Sequence, residues 1–135
     1  TTSDRVTGFE DWLPTLLDLI GAAKETPAGT DGISFAPALL GRKQEARPFL
    51  YRESPGYGGQ QCVRVGDWKL VRQNLGASPK KAAKTPTTEL YNLAQDRSET
   101  TDLAAQHPDV VAKLSDIARA QHVPAKLWPI PVLDK

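Results

Sequence analysis

The sequence predicts an α+β fold, in which about four antiparallel strands form a small sheet and a C-terminal helix packs on one of its faces. Two observations lead to this prediction. Helical apolar spacing occurs near both ends of the chain, whereas the middle holds short strand-like runs separated by turn residues. The 135 residues, of which 39% are hydrophobic, suffice for one ordinary domain with its own core.

The first helix is predicted from an apolar stripe at helical spacing, formed by Phe9, Trp12, Leu13, Leu16, Leu17 and Ile20. Pro14 fits if the helix begins just before it, because proline is tolerated in a first turn, and Gly21 is a suitable stop. We interpret the stripe as the face that packs on the core, with Asp11 and Thr15 among the residues on the polar face. Ser34 is a candidate N-cap for a short helix over residues 35–40.

The most specific strand signal is a hairpin over residues 61–72. Gly66 suits the first central position of a type II′ turn, which needs a positive φ. In that register one face carries Val63, Val65, Trp68 and Leu70. On the other face Arg64 lies opposite Lys69, and opposed like charges are unfavourable by up to about 1 kcal/mol. This pair therefore either borders an anion or has acidic strand neighbours such as Glu53 or Glu89.

Five further segments complete the predicted fold. Strand candidates at residues 48–53 and 88–93 flank the hairpin, and a Gly-rich loop over residues 54–59 lacks the phosphate-cradling pattern of a P-loop. Pro108 suits the first position of a last helix, with His107 as its cap, and the apolar face of this helix is Val110, Val111, Leu114, Ile117 and Ala118. Residues 128–133 contain two prolines, which excludes a central strand, and we expect them to lie over a larger body.

Composition excludes several functions. The 17 basic and 16 acidic residues nearly cancel, which argues against nucleic acid or a membrane as a partner, and no apolar run approaches the roughly 20 residues of a membrane span. A solvated basic loop over residues 73–87 carries Lys80, Lys81 and Lys84, and an anionic partner for it is the alternative. The absence of methionine favours an excised or processed segment over a complete reading frame.

The residues form no recognisable catalytic constellation. His107 and His122 lack cysteine or carboxylate at zinc-ligand spacing, so both are favoured as surface or cap residues. Cys62 lies in a strand with no base nearby in the sequence, which favours a packed thiol over a nucleophile. We predict no catalytic residue and no metal ligand in this chain.

Four segments have the character of motifs. Residues 11–21 are D-W-L-P-T-L-L-D-L-I-G, residues 31–41 are D-G-I-S-F-A-P-A-L-L-G, residues 63–71 are V-R-V-G-D-W-K-L-V, and E-L-Y-N-L at 89–93 precedes Asp96 and Glu99. In this order they resemble the C-terminal portion of the sulfatase family, the arylsulfatase-like branch of the alkaline phosphatase superfamily. The sequence departs from the family pattern at Asn92, Arg97 and Asp102, where the pattern has Asp, Pro and Asn.

The resemblance implies a division of the chain and a partner. Residues 1–45 would end a large N-terminal α/β domain, and residues 46–135 would form the C-terminal sulfatase subdomain that docks on it. The expected partner is therefore the N-terminal catalytic domain of the same protein, and self-association through the exposed docking face is expected when that domain is missing. The parent protein would be periplasmic or secreted.

The resemblance also implies a mechanism located outside this chain. Sulfatases use Ca²⁺ and a formylglycine made within a C/S-x-P/A-S/T-R motif, and Cys62 does not fit because Val63, Arg64 and Val65 follow it. No cofactor is expected here, and the chain alone is predicted to be inactive. Arg64 and Lys69, with the loop over residues 54–60, are the candidate contacts to an anionic substrate. The alternatives are a free-standing interaction module and the C-terminal part of a related phosphoester or phosphonate hydrolase.

Overall fold

The computed structural model describes residues 2–76 and 85–134, and the chain divides after Leu50 into two compact units. The basic side chains of Lys80, Lys81 and Lys84 lie outside the described residues. Within the described part, no helix has both the length and the apolar character needed to cross a bilayer.

The first unit contains helix α1 (Trp12–Leu19) and the short helix α2 (Ala36–Leu39). A 3₁₀ turn over Phe9–Asp11 leads into α1, so Pro14 falls in the first turn as the sequence predicts. The helix is followed by Gly21 at φ +79°, a conformation that glycine adopts without strain. The predicted positions of both helices are therefore confirmed.

The packing of α1 is the reverse of the predicted one. The buried residues of the helix region are Asp11, Pro14 and Thr15, whereas the apolar stripe is largely exposed, at 49% for Leu13, 53% for Leu16 and 76% for Ile20. Most of the stripe is thus not packed on a core within this chain, although the Trp12 ring contacts the buried Phe35 ring edge-on, with centroids 5.2 Å apart. The helix turns polar side chains inward because they satisfy the backbone of the following loop.

Asp11 and Thr15 organise that loop. The two carboxylate oxygens of Asp11 accept hydrogen bonds from the backbone N–H groups of Gly8 and Ile33, both at 2.8 Å, and one of them also accepts from Arg47. The hydroxyl of Thr15 donates to the Asp11 carbonyl at 2.6 Å and accepts from the Phe35 amide at 2.9 Å. Residues 33–35 are therefore held by side chains of the helix, since loop backbone otherwise lacks partners when buried.

The second unit contains a four-stranded sheet and one long helix, as predicted. The strands are β1 (Leu50–Ser54), β2 (Gln60–Val65), β3 (Trp68–Gln73) and β4 (Thr87–Asn92), in the spatial order β1-β2-β3-β4 with antiparallel pairing. Helix α3 (Pro108–Gln121) begins at Pro108, also as predicted, although His107 makes no side-chain cap hydrogen bond. The ring of His107 instead packs against Trp68, with ring centroids 4.8 Å apart.

The hairpin has the predicted register. Val65 pairs with Trp68, Arg64 with Lys69 and Val63 with Leu70, and Gly66 has φ +56°. One face of the sheet packs on α3 through a buried core of Val63, Leu70, Leu90, Leu114 and Ala118. The alternation along β2 and β3 therefore places Arg64 and Lys69 on the opposite face, which we call the outer face.

Candidate functional site

The basic pair on the outer face is stabilised by an acidic neighbour that the sequence did not identify. Lys69 Nζ lies 2.6 Å from Glu99 Oε1, in the segment after β4, while Arg64 Nε donates to the carbonyl of Gly66 at 2.9 Å. The proposed strand neighbours have other partners: Glu53 contacts His122, and Glu89 accepts from Tyr91 at 2.9 Å. The expected pairing with Glu53 or Glu89 is wrong, because Glu99 is brought to Lys69 by a turn rather than by strand register.

A groove of about 350 Å³ lies beside this pair on the outer face. Its walls include two cations and polar side chains that converge from three strands and one turn: Arg52, Ser54, Gln60, Cys62, Lys69 and Glu99. Arg64 is not among the residues that line it. The groove can hold a small polar or anionic group, because it combines guanidinium and ammonium donors with neutral hydrogen-bonding groups.

Cys62 is one of the residues that line this groove, and it is half-buried. Burial raises the pKa of its thiol, and the nearby charges of Lys69 and Arg52 only partly oppose that effect. The neutral thiol is therefore favoured.

The loop between β1 and β2 is fixed by a close backbone approach. Gly59 has φ +80°, and a Cβ at this position would lie 2.4 Å from the backbone N of Gly76. Two backbone hydrogen bonds join the segments, from Leu75 to Gly59 and from Gly76 to Gly58. The turn residue Tyr57 has φ +54° and a 95% exposed side chain, so the loop displays an aromatic ring to solvent.

On the helix-facing side of the sheet, His122 joins three segments of the second unit. Its Nδ1 lies 2.9 Å from Glu53 Oε2 on β1, and its Nε2 lies 2.9 Å from Asp134 Oδ1 near the C-terminus. The hydrogen bond with Glu53 is the main cause that raises the pKa of His122, while burial works in the opposite direction. His122 is the C-cap residue of α3, which agrees with one of its two predicted roles, whereas its side chain is only 9% exposed and so is not a surface group.

The network around His122 extends along the sheet. The Tyr51 hydroxyl donates to Glu53, and Gln61 Nε2 donates to that hydroxyl at 3.0 Å. Burial, followed by the hydrogen bond to Glu53, raises the pKa of Tyr51. Hydrophobic periodicity does not predict this network, because its members come from β1, β2 and the last residues of the chain. The sequence offers one indication of it, a histidine at the end of a predicted helix.

The described residues contain no group of three or more His, Cys, Asp or Glu side chains arranged to hold a metal ion. Cys62 and Glu99 line the same groove, and burial keeps the pKa of the thiol above its usual range.

Comparison with known proteins agrees with this geometry. No family model matches the sequence. The chain is 25% identical to rat arylsulfatase G over 127 residues, which cover 87% of this chain and 24% of the rat protein. It is 39% identical to an uncharacterised sulfatase of Schizosaccharomyces pombe over 56 residues, which cover 42% of this chain and 9% of the yeast protein. The chain thus spans about a quarter or less of these curated relatives.

Solved structures share the fold. The phosphonate monoester hydrolase of Agrobacterium radiobacter matches 90% of this chain and 26% of its own, with a TM-score of 0.62 and 24% identity. A protein solved with its substrate D-glucosamine-2-N,6-O-disulfate matches 82% of this chain and 22% of its own, with a TM-score of 0.61 and 21% identity.

The four-stranded sheet and its packed helix share the fold of the matched parts of the phosphonate monoester hydrolase and of the protein solved with the disulfate. The sequence matches to arylsulfatase G and to the yeast sulfatase support a sulfatase family for this chain. The partial coverage of its relatives fits the C-terminal portion of such a protein.

Proposed function

We propose that this chain is the C-terminal part of a sulfatase whose catalytic centre lies in a preceding α/β domain, and that its first unit provides the surface on which the two parts join. The apolar face of α1 is the observation that supports this role. Leu13, Leu16 and Ile20 leave apolar area in water on one helix, and contiguous exposed apolar surface is typical of a protein interface. The family relatives are about four times longer than the match, which leaves room for the missing partner.

The conformation of α1 strengthens this proposal. A helix that lacked a partner on its apolar side would gain by turning that side toward its own unit, at about 25 cal/mol for each Å² removed from water. Here Asp11 and Thr15 hold the opposite, polar side inward through hydrogen bonds to buried backbone groups. The exposed stripe is therefore built into the local structure and is available to a second body.

The first experiment separates this proposal from a free-standing interaction module. The genomic sequence upstream of this chain should encode a C/S-x-P/A-S/T-R motif, and the purified 135-residue chain should not hydrolyse p-nitrophenyl sulfate. An upstream region without the motif would favour the module. Turnover by chain that mass spectrometry shows to be free of longer protein would contradict a catalytic centre outside it.

We also propose that the outer face borders the substrate cleft of the parent protein. Arg52 and Lys69 present cationic groups to one groove, Arg64 lies on the same face, and a sulfate ester is anionic. The competing interpretation is structural, because Lys69 already pairs with Glu99.

Kinetics of the parent protein distinguish the two roles. Replacing both Arg64 and Lys69 with Gln should raise KM by about tenfold with little change in kcat. The reason is that binding energy is lost equally from the ground state and the transition state. Lys113→Gln, on α3, is the matched control for loss of positive charge. An unchanged KM with lowered stability would leave the pair a purely structural role.

A phosphonate hydrolase is the second candidate activity, because one solved structure that covers 90% of this chain is a phosphonate monoester hydrolase. That likeness concerns the fold, and both ester classes are anionic. Assaying the parent protein with p-nitrophenyl sulfate and with a p-nitrophenyl phosphonate monoester, under the same conditions, decides between them by the ratio of kcat/KM.

A further inference from the structure

A second cavity, of about 430 Å³, lies on the helix-facing side of the sheet, away from Arg64 and Lys69. Three strands contribute one polar row to it, in which Arg72 pairs with Gln61 on one side and with Thr88 on the other. The next row is apolar and belongs to the core, with Leu70 between its two strand partners. The cavity therefore begins where the packed interface between sheet and helix ends.

The opposite wall has two kinds of surface. Helix α3 contributes the hydroxyl of Ser115, with Arg119 and His122 further along, and Val111, Val132 and Leu133 contribute aliphatic side chains. A ligand in this cavity would meet hydrogen-bond donors on the sheet side, and both polar and aliphatic side chains on the opposite side. Such a combination is typical of small-molecule sites, in which a few polar groups orient a largely apolar ligand.

Among the basic residues around the cavity, Arg72 is the one without a carboxylate partner in the described part of the chain. His122 lies between the carboxylates of Glu53 and Asp134, and Arg119 lies 2.9 Å from Asp116. Arg72 donates to the amide oxygen of Gln61 at 3.0 Å, and it forms no ion pair in the part of the chain that the structure describes. A partly buried guanidinium paired only with a neutral oxygen keeps donors for a planar oxyanion.

We propose that this cavity binds a small organic oxyanion, with Arg72 as its main charge contact and Val111, Val132 and Leu133 around its apolar body. Thr88 and Ser115 also line the cavity and add hydroxyl donors. The site is independent of the proposed sulfatase role, because it involves the other face of the sheet and no reacting group. An inorganic anion alone would use the charge but not the apolar wall.

The test uses the 135-residue chain and amide chemical shifts measured by NMR. Benzoate and phenyl sulfate, titrated to about 10 mM, should shift the amides of Thr88 and Ser115 with saturable curves, whereas benzyl alcohol and inorganic sulfate should bind at least about tenfold more weakly. The organic probes differ in their oxyanion and so show whether carboxylate or sulfate is preferred. Equal binding of benzyl alcohol, or binding of inorganic sulfate alone as an adventitious ion only, would overturn the proposal.

Two variants locate the site. Arg72→Gln should weaken benzoate binding at least about tenfold, equivalent to about 1.4 kcal/mol, and Arg64→Gln on the outer face should leave it unchanged. Because Arg72 also holds Gln61, Ser115→Leu is the second variant, which fills the cavity without touching the guanidinium and should abolish binding. Retained affinity in a folded Arg72→Gln or Ser115→Leu chain would contradict the assignment.

Discussion

At the scale of single residues, the most consequential interaction is between Asp11 and Arg47, both nearly fully buried. Asp11→Ala would leave the guanidinium with only Glu10, at 3.4 Å, and would remove the acceptors of two backbone N–H groups. We expect the free energy of unfolding of the first unit to fall by about 3 kcal/mol, because removing one partner of a buried ion pair leaves an uncompensated charge. Native-state hydrogen exchange of the Phe35 amide measures this change in stability. The amide is a suitable probe because its hydrogen-bond acceptor, Thr15, is not altered by the substitution.

The surface pair of Asp116 and Arg119 is the matched control for that substitution. Both side chains are about three-quarters exposed, and exposed pairs contribute roughly 1 kcal/mol or less. Asp116→Ala should therefore leave the exchange rates of α3 nearly unchanged. Equal effects of the two substitutions would contradict the role given to burial.

The raised pKa of His122 predicts how the stability of the fold changes with pH, including the sign of the change. The pKa of its ring is raised in the folded state, chiefly by the hydrogen bond with Glu53, so the fold holds this proton more tightly than the unfolded chain does. The resulting stabilisation is complete below the unfolded value of about 6.5 and is lost as the pH rises through the raised folded pKa. Urea unfolding of the wild type and His122→Gln should therefore differ most at acid pH, and the difference should shrink above about pH 6.5.

An NMR titration of the His122 ring tests the cause directly. Asp134→Asn removes one of the two carboxylates and should lower the pKa of the ring toward its ordinary value. If the difference in unfolding midpoint were constant with pH, or if Asp134→Asn left the ring titration unchanged, the two-carboxylate account would be wrong.

At the scale of elements, the apolar face of α1 should govern how the chain behaves in solution. Leu13→Glu with Leu16→Lys places opposite charges three residues apart, in an order that also suits the helix dipole. Because both leucines are about half exposed, the free energy of unfolding should change by no more than about 0.5 kcal/mol. Binding of a hydrophobic dye and self-association in sedimentation should fall strongly.

The control for this pair is a second exposed apolar site. Val123→Glu with Leu127→Lys alters two side chains that are more exposed than the leucines of α1, in the segment after α3. If these substitutions reduced dye binding as much as those in α1, the effect would reflect general surface hydrophobicity and not a docking face.

The elements themselves follow from local sequence. Pro14 and Gly21 locate α1, Pro108 locates α3, and the turn at Gly66 fixes the hairpin register through its positive φ. Hydrophobic periodicity cannot distinguish an apolar stripe that packs on the chain's own core from one that packs on another protein part. For this reason the prediction that the stripe of α1 packs on the core of this chain is wrong for its exposed residues. The partners of Lys69 and His122 were missed for a related reason, since Glu99 and Glu53 are 30 and 69 residues away along the chain.

At the scale of the whole molecule, the proposal makes this chain one part of a larger hydrolase. The chain spans 24% of arylsulfatase G, and its described residues hold no cluster suited to a metal ion. Leaving the apolar face of α1 in water is unfavourable, since full burial of a leucine side chain contributes roughly 1.5–3 kcal/mol of free energy. The missing part of the parent protein should therefore bind this chain when the two are produced as separate polypeptides.

Co-expression of the two parts tests that expectation. The missing part, with a tag, should retain the 135-residue chain through purification, and the complex should hydrolyse a sulfate or phosphonate monoester that neither part hydrolyses alone. Leu13→Glu with Leu16→Lys should abolish both retention and activity, because charged side chains would have to be buried without partners. Val123→Glu with Leu127→Lys should preserve both. A complex that formed equally well with the altered α1 would place the interface elsewhere, whereas a complex that formed normally but lacked activity would support docking and contradict the assignment of the catalytic centre to the missing part.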